Sequence, residues 1–229
     1  MPKLILCRHG QSEWNAKNLF TGWEDVNLSE QGINEATRIA GEKVRENNIA
    51  IDVAFTSLLT RALDTTHYIL TESKQQWIPV YKSWRLNERH YGGLQGLNKD
   101  DARKEFGEEQ VHIWRRSYDV KPPAETEEQR EAYLADRRYN HLDKRMMPYS
   151  ESLKDTLVRV IPFWTDHISQ YLLDGQTVLV SAHGNSIRAL IKYLEDVSDE
   201  DIINYEIKTG APLVYELTDD LEVIDKYYL

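Results

Sequence analysis

Cysteine is almost absent from this chain of 229 residues, which contains only Cys7. A single cysteine excludes a disulfide bond within the chain. Because Cys7 ends the apolar run Leu4–Cys7, we expect a small buried core residue rather than a reactive thiol. Long hydrophobic runs are also absent: this first run is too short for a signal peptide, and no segment could span a bilayer. We therefore expect a cytoplasmic protein.

Positively charged residues are fewer than negatively charged ones. The chain has 28 Lys and Arg against 38 Asp and Glu, a formal net charge of −10 and a pI near 5.2. Because nucleic acids and anionic membranes bind basic surfaces, we expect neither as a partner. Small molecules are the expected partners, and the sequence leaves open a homodimer or a homotetramer.

Metal-ligand motifs and internal repeats are missing too. The seven histidines include no His-x-His, His-Glu-x-x-His or Cys-x-x-Cys spacing. We therefore expect no metal site. No solenoid repeat or low-complexity tract interrupts the chain.

Strand and helix patterns alternate along most of the chain, which predicts a mostly parallel sheet flanked by helices. The length suits one α/β domain over residues 1–229. Four apolar runs predict strands, at about residues 3–7, 51–57, 178–182 and 213–217. Helices are expected after Ser29, over 58–70, after Ser152 with its capping partner Asp155, over 187–194, and after Ser198. Pro162 is expected to bend its helix.

One region breaks the alternation. From about residue 117 to residue 150 the chain is polar, with Lys121-Pro122-Pro123 followed by a charged run. It has too few apolar positions for a core of its own. We expect an insertion with one or two surface helices that lies over the site or over an oligomer interface.

Two histidine-glycine steps follow apolar runs, at His9-Gly10 and at His183-Gly184. Ligands of open α/β sheets bind beyond the carboxyl ends of such strands, and glycine lets the backbone approach a ligand closely. The two imidazoles are therefore expected at one edge of the sheet. A lone histidine after a strand is more often a hydrogen-bonded loop residue, so this motif alone does not decide the matter.

Arginines accompany the histidines. Arg8 precedes His9, and Arg61 follows the predicted strand over 51–57. A neutral imidazole is a competent nucleophile, and guanidinium groups match the oxygens of a phosphoryl group. Phosphoryl transfer without a metal is the chemistry that this combination favours. Arg115-Arg116 by itself would be an exposed helix face, and Glu88 by itself a solvated carboxylate.

Longer motifs make the chain resemble the histidine phosphatase superfamily and, within it, the cofactor-dependent phosphoglycerate mutases. The superfamily motifs are Arg8–Gly10, Leu28–Gly32, Ser57–Ala62 and His183-Gly184. The mutase motifs are Arg8–Asn15, Phe20–Trp23, Asn87–Lys99, Trp114–Tyr118 and Ala182–Ser186. The resemblance covers nearly the whole chain and implies a single three-layer α/β/α domain that carries the insertion at about 117–150.

The resemblance also implies roles. His9 would become phosphohistidine, His183 would steady the transferring group, and Glu88 would be the general acid and base. The other phosphoryl-holding residues would be Arg8, Arg61 and Asn15. The substrate-binding residues would be Ser12, Thr21, Gly22, Arg89, Tyr91, Lys99, Arg115, Arg116, Gly184 and Asn185.

The implied enzyme is an isomerase of glycolysis and gluconeogenesis that interconverts 3-phosphoglycerate and 2-phosphoglycerate, primed by 2,3-bisphosphoglycerate. The alternative enzymatic function is a phosphatase, in which water takes the phosphate from His9. A third hypothesis is a binding module without catalytic activity, which would be expected to lack His9, Glu88 or His183. All three residues are present.

Overall fold

The computed structural model describes residues 1–229 and centres on a six-stranded sheet. The strands are β1 (Lys3–Arg8), β2 (Val53–Thr56), β3 (Val80–Lys82), β4 (Thr177–Ala182), β5 (Pro212–Leu217) and β6 (Val223–Tyr228). Their order across the sheet is β3-β2-β4-β1-β5-β6. The first four are mutually parallel, and β5 and β6 join antiparallel. The predicted mostly parallel sheet is confirmed.

Ten α-helices connect or extend the strands. They are α1 (Glu13–Ala16), α2 (Glu30–Asn34), α3 (Glu42–Glu46), α4 (Thr60–Glu72), α5 (Lys99–Phe106), α6 (Glu108–Arg116), α7 (Glu127–Ala135), α8 (Leu153–Phe163), α9 (Ser169–Leu173) and α10 (Gly184–Leu194). Wide π-helical stretches at Glu35–Gly41 and Trp164–Ile168 join α2 to α3 and α8 to α9. No helix has the length and apolar character needed to cross a membrane.

The sheet has a hydrophobic layer on each face. Leu4 and Leu6 of β1 belong to the larger core, which includes residues of α8 and α10. Ile5 and Cys7, which alternate with them, belong to the smaller core with residues from the helices over 30–46 and from α4. Alternate strand residues point to opposite faces, so helices cover both sides. The predicted three-layer α/β/α architecture is confirmed, and burial raises the pKa of the Cys7 thiol to about 12.

Two of the predicted helix starts are confirmed, and one is wrong. Ser29 caps α2, and Ser152 with Asp155 forms the predicted capping box of α8. Ser198 precedes only a 3₁₀ turn, Asp201–Asn204, rather than an α-helix. Pro162 lies inside α8, two residues before the π-helical stretch that begins at Trp164. Proline supplies no N–H to a regular helix, which fits this change of helical type.

The insertion at about 117–150 holds one α-helix, α7, and one 3₁₀ turn, Lys144–Met146. It is polar as predicted, yet it is tied into the fold by a small cluster in which Tyr139 and Met147 pack with Trp23 and Trp84. Tyr139 stacks on Trp23 with ring centroids 5.1 Å apart. The insertion therefore shares a core with the segments around residues 23 and 84.

Candidate active site

The two histidines meet because β1 and β4 are neighbours in register. Arg8 at the end of β1 pairs with Ala182 at the end of β4, and the His9 N–H donates to the Ala182 carbonyl at 3.0 Å. Both strands therefore deliver their next residue to the same point. The imidazole centroids of His9 and His183 lie 4.9 Å apart. The expected meeting of the two His-Gly steps at one edge of the sheet is confirmed.

A backbone contact sets the tautomer of His9. Its Nδ1 lies 2.7 Å from the carbonyl oxygen of Gly10. A carbonyl oxygen can only accept a hydrogen bond, so Nδ1 carries the proton and Nε2 keeps its lone pair. Gly10 has no room for a side chain, since a Cβ there would lie 2.2 Å from the Gly32 carbonyl oxygen. This tight packing fixes the loop that presents His9.

Both imidazoles are held neutral. Burial, followed by the charges of Arg61 and Arg8, lowers the pKa of His9 well below its ordinary value. Burial, followed by Arg61 and His9, does the same to the pKa of His183. His183 Nε2 is 2.8 Å from the hydroxyl of Ser57. A neutral His9 with a free Nε2 can attack an electrophilic phosphorus atom at neutral pH.

Two arginines, the buried Arg61 and the half-buried Arg8, are fixed beside His9 by backbone oxygens. Arg61 donates to the carbonyls of Gly22 and Glu24 at 2.7 and 2.8 Å, and Arg8 donates to the carbonyl of Ile207 at 2.9 Å. The Nε atoms of both arginines are buried without a hydrogen-bond partner. Burial lowers the pKa of Arg61 to about 10. Buried, unmatched guanidinium donors are the groups that an oxyanion would satisfy.

Glu88 is held by one oxygen. Its Oε1 accepts the N–H groups of Arg89 and Asn185 at 2.7 and 3.1 Å, while Oε2 makes no hydrogen bond within the chain. Asn185 belongs to the first turn of α10, so the carboxylate sits at that helix N-terminus. This arrangement orients one oxygen and leaves the other for a ligand hydroxyl, as an acid and base group requires.

A buried ion pair supports the Glu88 segment from behind. Arg159 of α8 donates to both carboxylate oxygens of Glu151, at 2.7 and 2.8 Å. It also donates to the carbonyls of Asn87 and Glu88, at 3.0 and 2.8 Å. The second oxygen of Glu151 accepts the N–H of His90 at 2.8 Å. Sequence reasoning missed both charged residues, because each looks like a solvated charge in a polar or amphipathic stretch.

One cavity of about 320 Å³ joins these groups. The predicted site residues that line it are Arg8, His9, Asn15, Thr21, Gly22, Arg61, Glu88, Tyr91, Lys99, Arg115, Arg116, Gly184 and Asn185. His183 lies behind His9 and does not line the cavity.

Ser12 and Arg89 were expected to bind substrate, but neither lines the cavity. The Ser12 hydroxyl is buried and accepts the Asn15 N–H as the cap of α1. Arg89 is buried beneath the wall, where it donates to the Arg115 carbonyl at 2.6 Å and to the Tyr91 hydroxyl at 3.0 Å. These contacts make Ser12 a helix cap and Arg89 a support for two wall residues.

The cavity has a second cationic wall. Lys99 opens α5 after its cap Asn98, while Arg115 and Arg116 close α6. Burial lowers the pKa of Lys99 and of Arg115, and neighbouring cations add to both effects. Burial raises the pKa of the Tyr91 phenol, but Arg89 and Arg115 outweigh it and hold that pKa below its ordinary value. This wall is crowded with positive charge, and Glu206, paired with Arg116, is the one carboxylate bonded to it.

Sequence reasoning missed six residues of the cavity wall: Leu19, Phe20, Arg188, Tyr205, Glu206 and Ile207. Arg188 carried a usable signal, since an arginine inside the apolar Ile187–Leu194 pattern falls on a buried position. It donates to the Asn185 side-chain oxygen at 3.0 Å and to the Ile202 carbonyl at 2.6 Å. The segment from Tyr205 to Ile207 carried no such signal.

Residues 4–135 and 123–229 match the model of the histidine phosphatase superfamily (branch 1). Solved structures are similar over nearly the full chain. Bacillus stearothermophilus YhfR has a TM-score of 0.71 at 21% identity, covering 97% of this chain and 94% of that one. A mycobacterial glucosyl-3-phosphoglycerate phosphatase has a TM-score of 0.72 at 21% identity, covering 99% and 96%. The alpha-ribazole phosphatase of Shigella flexneri has a TM-score of 0.67 at 21% identity, covering 94% and 91%.

Proposed function

The chain belongs to the histidine phosphatase superfamily (branch 1), and from that premise we propose that it is a phosphoglycerate mutase. The proposed enzyme interconverts 3-phosphoglycerate and 2-phosphoglycerate through phosphohistidine at His9. The observation that carries the proposal is the second cationic wall, formed by Lys99, Arg115 and Arg116 in the same cavity as the arginines beside His9. A monophosphate with no other charge needs only the His9 end.

A mutase must hold a ligand that carries an anionic group at each end and must accept both orientations of a bisphosphate. Two groups of cations in one cavity suit that requirement. The unmatched donors of Arg8 and Arg61 suit a phosphoryl group, and the N-terminus of α10 adds N–H groups at the same end. Bound 2,3-bisphosphoglycerate would supply the phosphate that first loads His9.

The residues would act in two reversible steps. Phospho-His9 loses its N–P bond as the hydroxyl oxygen of 3-phosphoglycerate bonds to phosphorus, and Glu88 takes the hydroxyl proton. After the bisphosphate reorients, Nε2 of His9 attacks the other phosphorus. The departing oxygen recovers the proton from Glu88, and 2-phosphoglycerate leaves. Arg8 and Arg61 would surround the transferring group throughout, with His183 packed behind His9.

A coupled assay tests the proposal. 2-Phosphoglycerate formation from 3-phosphoglycerate is followed with and without 2,3-bisphosphoglycerate, and inorganic phosphate release is measured in the same samples. We expect isomerisation that depends on the bisphosphate and exceeds phosphate release. Phosphate release without any 2-phosphoglycerate would refute the mutase.

A phosphatase is the second candidate. His9, the two arginines and Glu88 suffice for hydrolysis if water replaces the substrate hydroxyl, and two of the similar structures are named as phosphatases. The discriminating variant is Arg116→Gln. For a mutase, the loss of this cation should reduce isomerisation more than it reduces hydrolysis of a phosphate ester without a second anionic group.

A further inference from the structure

Glu206 is the acidic residue that shares the cavity wall with Glu88. Its Oε1 lies 2.5 Å from a guanidinium nitrogen of Arg116. Arg116 is one of the three cations assigned above to the second anionic group of the substrate. An internal carboxylate therefore already occupies a position that the ligand needs.

The backbone on both sides of Glu206 is anchored. Arg188 binds the carbonyl of Ile202, and Arg8 binds the carbonyl of Ile207, at 2.6 and 2.9 Å. The Tyr205 hydroxyl donates to Glu195 at 3.2 Å. The segment is thus held at the cavity by Arg8, which also faces the phosphoryl end. A change at Glu206 need not move the backbone.

The side chain of Glu206, by contrast, is 75% exposed, whereas that of Arg116 is 23% exposed. An ion pair with one solvated partner is weak, because water and salt screen it. A ligand anion that bonds Arg116 and its buried neighbours at once can displace it. The contact is therefore suited to exchange rather than to permanent structure.

We propose that Glu206 is a specificity-determining residue that competes with the second anionic group of the substrate for Arg116. Ligands with two anionic groups displace it, and ligands with only a phosphate leave it in place. The inference rests on the proposed function in that Arg116 receives this second group. Glu206 contributes no atom to the chemical step, so it affects binding rather than turnover.

The test compares Glu206→Gln with Glu200→Gln by calorimetric titration. Glu200 is exposed and precedes the same 3₁₀ turn, so its variant removes one negative charge from this segment without touching Arg116. The two ligands are 3-phosphoglycerate and inorganic phosphate. We expect Glu206→Gln to lower the Kd for 3-phosphoglycerate about two- to fivefold, the range of an exposed ion pair. The Kd for inorganic phosphate and both values for Glu200→Gln should stay near wild type.

Equal tightening of both ligands by Glu206→Gln, or equal effects of the two variants, would overturn the proposal in favour of a general charge effect. A double-mutant cycle adds a second check, since Glu206→Gln should have no effect on 3-phosphoglycerate binding once Arg116 is Gln. These binding measurements do not require turnover. If the enzyme forms 2-phosphoglycerate but Glu206→Gln does not affect the two ligands differently, the role of Glu206 is refuted. If Glu206→Gln affects the two ligands differently but the enzyme forms no 2-phosphoglycerate, the proposed function is refuted.

Discussion

Arg8, Arg61 and Arg188 each bury a guanidinium nitrogen that has no partner within the chain. A buried donor without an acceptor costs about 1–3 kcal/mol of folding free energy. Three such donors in one site therefore favour the binding of a ligand with several oxygen acceptors. Glu88 does not pair with these guanidinium nitrogens, because its hydrogen-bonded oxygen accepts two backbone N–H groups instead. The side chains of this site therefore favour an anionic ligand.

Glu88→Gln tests the acid and base role. The amide keeps the shape of the side chain but cannot exchange the substrate proton, so we expect turnover to fall roughly 10²- to 10⁴-fold. Binding of 3-phosphoglycerate should change far less, because Arg115 and Arg116 remain. Glu13→Gln, an exposed carboxylate on α1, is the matched control. Near wild-type turnover by the Glu88 variant would transfer the role to another carboxylate.

At the scale of elements, the short segment that carries Glu88 has no regular structure of its own and depends on α8. Arg159 reaches from that helix to two carbonyls of the segment, and Glu151 binds the backbone N–H of His90. Both side chains of the pair are only 5% exposed. The Glu88 carboxylate is therefore positioned by a helix whose sequence shows no catalytic motif.

Arg159→Met should both destabilise the fold and reduce turnover. It leaves Glu151 as a buried unpaired charge, and breaking such a pair costs about 3–5 kcal/mol of unfolding free energy. The partly exposed pair of Lys3 and Glu216 is the control, where Glu216→Gln should change the free energy of unfolding far less, because water screens that pair.

Urea unfolding at pH 7 measures both variants. The double variant Arg159→Met with Glu151→Met removes both charges and should recover part of the lost stability. If the single variant were as stable as the surface control, the pair would not support the segment. A fall in kcat with an unchanged KM would identify displacement of Glu88 rather than loss of substrate binding.

Elements with strong patterns were predictable, and those without were not. The continuous run of β1 and the capped starts of α2 and α8 follow directly from residue types. By contrast, β6 reads Val-Ile-Asp-Lys-Tyr-Tyr and is an exposed edge strand with no regular alternation. The helix α5 is mostly charged, and α5 and α6 each bury only one residue, so few core positions mark them in the sequence.

The site shows the same division. Motifs marked wall residues such as His9, Glu88 and Arg116. They could not mark Glu206, whose importance comes from a contact 90 residues away in sequence. Nor could they separate Arg89 from its neighbours, because whether it lies in the wall or behind it depends on packing.

At the scale of the whole molecule, buried histidines make stability depend on pH. Burial lowers the pKa of His9, His183 and His90, the last to about 3. Unfolded histidines take up protons below about pH 6.5, whereas the folded ones do not, so each contributes a loss of about 1.4 kcal/mol per pH unit below that point. Burial raises the pKa of Glu125 to about 7, which opposes the trend because the folded carboxyl is protonated first.

We therefore expect the free energy of unfolding to fall between pH 7 and pH 5, measured by urea titration at constant ionic strength. Glu125→Gln removes the opposing group and should make the fall steeper. Stability that is flat or rising as the pH is lowered over this range would mean that the histidines are protonated in the folded protein.

The central claim, covalent catalysis by His9, is tested most directly by mapping the phosphorylated residue after incubation with 2,3-bisphosphoglycerate. We predict one acid-labile, alkali-stable phosphoryl group on the peptide that contains His9, and none in a His9→Asn variant. A label on His183 or on Ser12, or an unchanged label in the variant, would contradict the account.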